Sequence, residues 1–255
     1  MRLHVVSDVH GSVDALRRAG EGADGLVCLG DLVLFIDYDD HGVGILADLF
    51  GADAARHYIQ MRSELRFDEA REFSTGLWES LNRDRGEVIE EAIRAQYSAL
   101  FAAMPTPSYV TYGNVDVPRL YAEYAHDGVT ILDGQTIDIG GRTFGFVGGG
   151  LQTPMRTPFE ISDEEYADKI KAIGAVDVLC AHIPPALPLL TYDVVGRRFE
   201  RGSAALLDAI RDTQPSLVVF GHVHNPLARR VRIGRTECVN VGHFRGTGQP
   251  YVLEW

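Results

Sequence analysis

Apolar and polar positions alternate in short blocks from the first residue onward. Arg2 to Ser7 reads as a buried strand, the polar turn SDVHG follows, and Ser12 stands where it can cap a helix running to about Ala19. Gly25 to Leu29 reads as the next strand. Strand-like runs recur at residues 108–112, 136–139, 143–147, 176–181, 216–220, 227–233, 236–240 and 251–254. Gly140–Gly141 separates two of these runs and Gly234–Arg235 separates two others, so both pairs predict tight hairpins. Strands followed by polar loops and helices predict α/β layering.

Residues 37–104 break this rhythm. They carry almost no strand signal and three or four helix-like stretches. The clearest runs from Glu87 to Met104, with Val88, Ile89, Ala92, Ile93, Tyr97 and Leu100 at helical spacing. The segment holds 7 arginines against 14 Asp and Glu, so it contributes −7 of the chain's −12. Two readings stay open: a helical insertion with a solvated acidic face, or a cap that shapes a substrate pocket. With no internal repeat and no long Gly/Ser linker, the expectation is one domain over residues 1–255 with an insertion at about 37–104.

Composition narrows the class. At 45% hydrophobic and 24% charged residues, the 255-residue chain resembles an ordinary globular protein with a sizeable core, which excludes low-complexity disorder. No apolar run approaches the roughly 20 residues that span a bilayer. The first residues meet Asp8 and His10 too early for a signal-peptide core. Cys28, Cys180 and Cys238 lie far apart and form no CxxC. These features predict a cytoplasmic protein with no membrane partner. The charge of −12 argues against general nucleic-acid binding, which needs basic surface to displace counterions. A phosphate-bearing substrate stays admissible, because a bound metal reverses the local field.

The informative polar residues stand just after strand-like runs. Asp8 and His10 follow the first, Asp31 the second, and Asn114 and Asp116 sit in YGNVDVP. His182 ends VLCAHIPP, while His222 and His224 end VVFGHVH. Open α/β sheets form their sites beyond the carboxyl ends of strands, so these side chains are expected to converge. Carboxylate, imidazole and amide oxygen together favour borderline divalent metals over calcium. A pair of ions roughly 3.5–4 Å apart needs one bridging carboxylate, and Asp31, preceded by glycine in a tight turn, is the natural choice. Any one of these motifs is commonplace, since an Asp after a strand is usually a turn or cap residue. Five in order, each at a strand end, are not.

The series D-x-H, G-D, G-N-x-D, H and G-H-x-H resembles the calcineurin-like metallophosphoesterases, from Asp8 to His224. The resemblance implies an α/β fold, a two-sheet β-sandwich flanked by helices with metals at one edge, here with a helical insertion. It also implies that Asp8, His10, Asp31 and His224 hold one ion, that Asp31, Asn114, His182 and His222 hold the other, and that Asp31 bridges. Catalysis would centre on Asp31, Asn114 and His182, with a metal-bridging hydroxide attacking phosphorus in line. The cofactors implied are two divalent ions per chain, manganese first, with iron, zinc, nickel or magnesium as alternatives. Many members carry histidine where this chain has Val115, an imidazole that binds phosphate or protonates the leaving group. Asp116 matches the following acid and would orient a ligand or simply hold a turn. Where a serine often follows the N-x-G stretch, Asn240–Val241–Gly242 is followed by His243, a turn residue or a substitute for the missing imidazole. Asn114 and His243 are thus the candidate substrate contacts.

The expected activity is phosphoester hydrolysis with phosphodiesters somewhat favoured. The alternatives are a phosphomonoesterase acting on protein or small-molecule substrates, and a non-catalytic metal-binding scaffold. Other signals carry less. The GVGILA stretch at Gly42–Ala47 follows an Asp-rich loop rather than a strand, so it is no dinucleotide fingerprint. Gly148–Gly150 reads as a tight turn, and Asp37, Asp39, Asp40 and His41 as a solvated loop. Arg229, Arg230 and Arg232 read either as anion-binding groups or as surface charge.

Overall fold

The computed structural model describes residues 1–154 and 156–255. The chain forms two compact units: Met1–Leu32 with Leu100–Trp255, and Val33–Ala99.

The first unit is built on two sheets. One orders the strands Tyr251–Glu254, Arg2–Val6, Gly25–Cys28, Ser108–Val110 and Val129–Ile131; its first pair is antiparallel and the rest are parallel. The other orders Arg230–Ile233, Thr236–Asn240, Leu217–Phe220, Val178–Ala181, Arg142–Val147 and Gln135–Ile139. Its four central strands are parallel and each edge is an antiparallel hairpin. The turns at Gly140–Gly141 and Gly234 have positive φ, as tight hairpins require.

Period-two alternation explains why these strands read as continuous apolar runs. Val178, Cys180, Leu217, Val219 and Val239 face inward to a core shared with Leu3, Val5, Val27 and Leu29 of the other sheet. Leu179, Ala181, Val218, Phe220 and Cys238 point the opposite way, against Tyr166, Ile170, Leu206 and Ile210 of two helices. Both faces are therefore covered, as parallel sheets need. Those helices, Asp163–Ile173 and Ala204–Thr213, are N-capped by Ser162, which accepts from Glu165 N, and by Ser203, which accepts from Leu206 N. Each such cap is worth about 1 kcal/mol.

Several boundaries differ from the sequence pattern. Ser12 occupies the N-cap position of the Val13–Arg18 helix without making a cap hydrogen bond. The 227–233 run is strand only over Arg230–Ile233, because Leu227 N and Ala228 N bond Tyr192 O and Leu189 O instead. The three-residue Val129–Ile131 strand adds an edge with no apolar run of its own.

The second unit is helical, with Ile45–Phe50, Ala52–Ser63, Phe67–Ser80 and the long Arg85–Ala103 helix, which continues into the first unit. A small core of Leu46, Ala47 and Ala55 packs with Ile36, Phe50 and Tyr58. Trp78 meets Phe50 edge to face at 4.9 Å and carries the Arg85 guanidinium over its ring. Gln96 closes a reciprocal pair with the Leu34 backbone at 2.8 and 2.9 Å. The charges sit on exposed helix faces in local pairs such as Arg66 with Glu64 and Glu69, and Arg83 with Glu91. Among the described residues no helix is long and apolar enough to cross a membrane, and all three cysteines are free and buried.

Candidate metal centre

The parallel strands of both sheets end on one side, and the loops leaving them carry the donors. Asp8, His10, Asp31 and His222 all adopt left-handed backbone, with φ of 57, 39, 55 and 65°. Such a conformation costs a non-glycine residue on the order of 1 kcal/mol and persists only where the surroundings impose it. Here they do. The Asp116 carboxylate, wholly buried, accepts from Asp31 N at 2.8 Å, Leu32 N at 2.9 Å and Gly113 N at 2.8 Å, pinning the Asp31 turn against the Asn114 loop. Glycine is required on both sides of that contact, since a Cβ on Gly30 would strike the Gly113 backbone and one on Gly113 would overlap the Asp31 carboxylate. Asp116 thus fills both roles expected for it, holding its own turn through Gly113 N and positioning Asp31 through the Asp31 and Leu32 amides.

The carboxylates divide their oxygens. Asp8 Oδ2 accepts from His222 N at 3.0 Å; Asp8 Oδ1 is buried with no hydrogen-bond partner, its nearest cationic group being His224 Nε2 at 3.4 Å. Asp31 Oδ1 accepts from Val115 N at 3.0 Å, while Oδ2 faces His182 Nε2 at 3.4 Å and His10 Nε2 at 3.9 Å. Asn114 Oδ1 lies 3.0 Å from His182 Nε2 and 2.9 Å from His222 Nδ1. His182 Nδ1 is 3.0 Å from Leu29 O, a contact in which it donates and which aims Nε2 at Asp31 and Asn114. His243 stacks on His224 with centroids 3.9 Å apart and planes 4° from parallel, and stands 5.8 Å from His10. All seven expected ligands and His243 are thus gathered in one cluster.

Protonation follows from this crowding. Burial opposes charge on Asp8, but His224, His182 and His10 outweigh it and hold its carboxyl well below the usual carboxylate range. Asp31 feels the same opposition and is drawn down, chiefly by His182, to about 2. Burial pushes His182 down, yet Asp31 and Asp8 lift it to about 9. Burial and the neighbouring His182 depress His222 to about 4; burial and His224 do the same to His243.

The donor set fits divalent ions. Three groups each bring ligand atoms within 4.8 Å of one another: His10 with His224 and His243, Asp31 with His182 and His222, and Asp8 with His10 and Asp31. Asp31 and His10 each belong to two groups. An acceptor-only amide oxygen facing two imidazole nitrogens, and a buried carboxylate oxygen with no donor, are both arrangements that a cation satisfies.

Sequence reasoning missed the support behind Asn114. Its Nδ2 donates to Thr157 Oγ1 at 3.0 Å, Thr157 Oγ1 donates to Glu160 Oε1 at 2.8 Å, and Thr153 donates to both Glu160 oxygens. This chain fixes the amide so that its oxygen faces the histidines. The only sequence signal was two threonines and an acid in an irregular loop. Gly150 packs against the Asn114 side chain and Gly149 N bonds Tyr112 O; instead of forming the expected tight turn, the triple-glycine run leads into the short Gly150–Leu151 strand beside Asn114. Asp37 closes a local turn onto Asp39 N and Asp40 N, and Arg230 pairs with Glu237 at 2.6 Å.

The sequence model described as calcineurin-like phosphoesterase matches residues 1–226, a span that contains all seven expected ligands and excludes His243. No curated protein matches the chain. A match over that length, together with the convergent Asp, Asn and His side chains, shows that the chain belongs to the calcineurin-like phosphoesterase family, whose chemistry is metal-dependent hydrolysis of phosphate esters.

Proposed function

We propose that the protein is a dinuclear phosphoesterase that favours phosphodiesters over monoesters. The observation that supports this most is Asp31 Oδ2, set between His182 on one side and His10 on the other, so that one carboxylate serves two donor sets. Asp8, His10, Asp31 and His224 would hold one ion, and Asp31, Asn114, His182 and His222 the second, with manganese the first choice. Two divalent ions bound there would supply Lewis acidity and positive charge for the phosphoryl oxygens. The chain is read as a single metallophosphoesterase domain over residues 1–255 with a helical insertion at about 37–104.

The chain's own residues prepare that site. Asp116 and the Gly30–Gly113 contact hold Asp31 in place, and Leu29 O fixes the His182 ring. Val115 uses its backbone N–H on Asp31 and offers no side-chain donor. His243, depressed to about 4, is neutral at neutral pH, and nearby divalent ions would depress it further. It can accept or donate a hydrogen bond but supplies no standing positive charge. A monoester dianion therefore gains no imidazolium partner, and a diester monoanion loses nothing by its absence.

The test is kcat/KM for matched aryl mono- and diesters with metal occupancy confirmed equal. The wild type should prefer the diester. Val115→His should raise monoester turnover relative to diester by about a hundredfold, the low side of general-acid effects. A wild-type preference for monoesters, unchanged by the histidine, would refute the diester assignment.

A further inference from the structure

The rim beside His224 differs from the rest of the surface. Ten large hydrophobic side chains stand exposed among the described residues, and five of them, Leu189, Val194, Val195, Phe199 and Leu227, lie on adjoining segments, with Val195 71% and Phe199 65% exposed. Backbone hydrogen bonds stitch these segments together: Val194 N to Asn225 O at 2.9 Å, Leu227 N to Tyr192 O at 2.9 Å, and Ala228 N to Leu189 O at 2.8 Å. Asn225 is the residue after His224, and its N–H also bonds Asp193 Oδ2 at 3.2 Å, so the Tyr192–Phe199 hairpin is fastened to the donor cluster itself. Two arginines accompany it. Arg197 in the hairpin turn and Arg229 have no ion-pair partner among the described residues, while Arg198 and Arg230 are neutralised by Glu200 and Glu237. Arg229 Nη1 stands 3.9 Å from where a Cβ on Gly242 would lie, next to His243.

We infer that this rim receives the apolar organic group of the ester, which makes the substrate class an amphiphilic phosphoester: its anion at the donor cluster and Arg229, its alkyl or aryl group across Val195, Phe199 and Leu227. The inference rests on the phosphoesterase reading above and narrows it. A chain charge of −12 disfavours an anionic membrane surface. A single apolar substituent next to a phosphoryl group fits exposed apolar side chains on a hairpin fastened beside the donor cluster, with Arg229 near His243.

The test uses metal-loaded protein and p-nitrophenyl phosphodiesters whose second ester group is methyl, butyl or octyl, each kept below its self-association concentration. In the wild type kcat/KM should rise by about tenfold from methyl to octyl, a fraction of what full burial of seven methylenes would give. The octyl-to-methyl ratio should fall to about one in Val195→Ser/Phe199→Ser/Leu227→Ser, and partway in Phe199→Ser alone. Calorimetry with octylphosphonate against methylphosphonate, neither of them hydrolysable, should show the same ratio in affinity. A flat ratio with measurable turnover overturns the rim assignment and leaves the phosphoesterase reading standing. A ratio kept intact in both variants overturns it as well. Turnover of no ester with any divalent metal overturns the phosphoesterase reading first. Self-association or vesicle co-sedimentation that the triple variant abolishes, with a flat ratio, assigns the rim to those occupants instead.

Discussion

The two compact units are held together by different kinds of interaction. In the sheet-based unit the central parallel strands are buried along their length, and the contacts that matter join residues far apart in sequence, such as His182 with Asn114 or Asp31 with Asp116. In the Val33–Ala99 unit apolar side chains such as Ile59, Trp78, Val88 and Ile93 are buried too, but most polar contacts among the described residues lie within one or two helical turns, as in Arg94 with Glu90 or Gln60 with Glu64. Left-handed backbone occurs in both units, held differently: at Leu65 and Asn82 by local bonds at helix ends, and at Asp8, Asp31 and His222 by contacts between distant segments. Only the second kind also brings side chains from separate strands to one point.

The sharpest way to separate the regions is at the shared carboxylate. Asp31→Asn keeps an oxygen for Val115 N but removes the charge that both donor sets share. Changes one layer behind a metal site cost about 10–100-fold, so loss of this carboxylate should lower metal affinity by more than about 100-fold. Elemental analysis should find well under two ions per chain, while the metal-free circular dichroism spectrum stays unchanged. A variant that retained two ions and full rate would remove the central assumption. Next in size is Phe146→Ala, in the core between the sheets, where a fully buried aromatic truncation costs about 3–5 kcal/mol by urea denaturation. A cost near zero would mean that the inter-sheet core is not what the covered strands indicate.

Acidity probes the same geometry without mutation. His182 holds its proton up to about pH 9, and an ion taking its Nε2 must displace that proton. Metal affinity should therefore climb by about tenfold per pH unit throughout the range below about pH 9 and level off above it. His222, already neutral above about pH 4, adds nothing to that slope. A pH-independent affinity across this range, read by calorimetry, would place His182 outside the ion's reach. Thr157→Val then tests the support behind Asn114: affinity of one of the two ions should drop by about 10–100-fold, with Thr157→Ser close to wild type. Equal losses in the valine and serine variants would mean that the loop acts by packing rather than through its hydroxyl. The smallest effect is expected at Arg83→Ala in the helical unit. Its pair with Glu91 is exposed and screened by solvent, so urea denaturation should barely distinguish the variant, and any difference should shrink further in high salt.

What was legible in the sequence follows the same division. Asp8, His10, Asp31, Asn114, His182, His222 and His224 are visible because each stands shortly beyond the end of an apolar strand, and strand ends on one side of a parallel sheet converge. The helical character of the inserted segment was visible from spacing alone. The Asp163–Ile173 helix went unread although Ser162 and Glu165 spell a capping box, because the run lacks a dense apolar stripe. Val129–Ile131 is three residues long and gains its strand character only from pairing with Ser108–Val110. Thr157 and Glu160 were invisible for a different reason. Their partner lies 43 residues upstream of Thr157, and nothing local marks which loop polar groups will meet. The double role of Asp116 is likewise hidden in the sequence, since two of the three amides it holds lie 85 and 84 residues upstream.

The placement of Asp31 on one sheet and His182 on the other has a mechanical side. Asp8 and His222, 214 residues apart, already join the two sheets by a hydrogen bond. An ion shared by Asp31 and His182 would add a removable crosslink at the same edge, closing long loops of chain. Lengthening such a loop is cheap once it is closed, with each doubling costing only about 0.6 kcal/mol. By mass action, free metal at 100 times its dissociation constant would add about 2.7 kcal/mol per site against unfolding. The lifetime of the folded chain would then be set in part by the metal concentration around it, and a chelator would act on the whole sandwich by releasing one clasp at its edge.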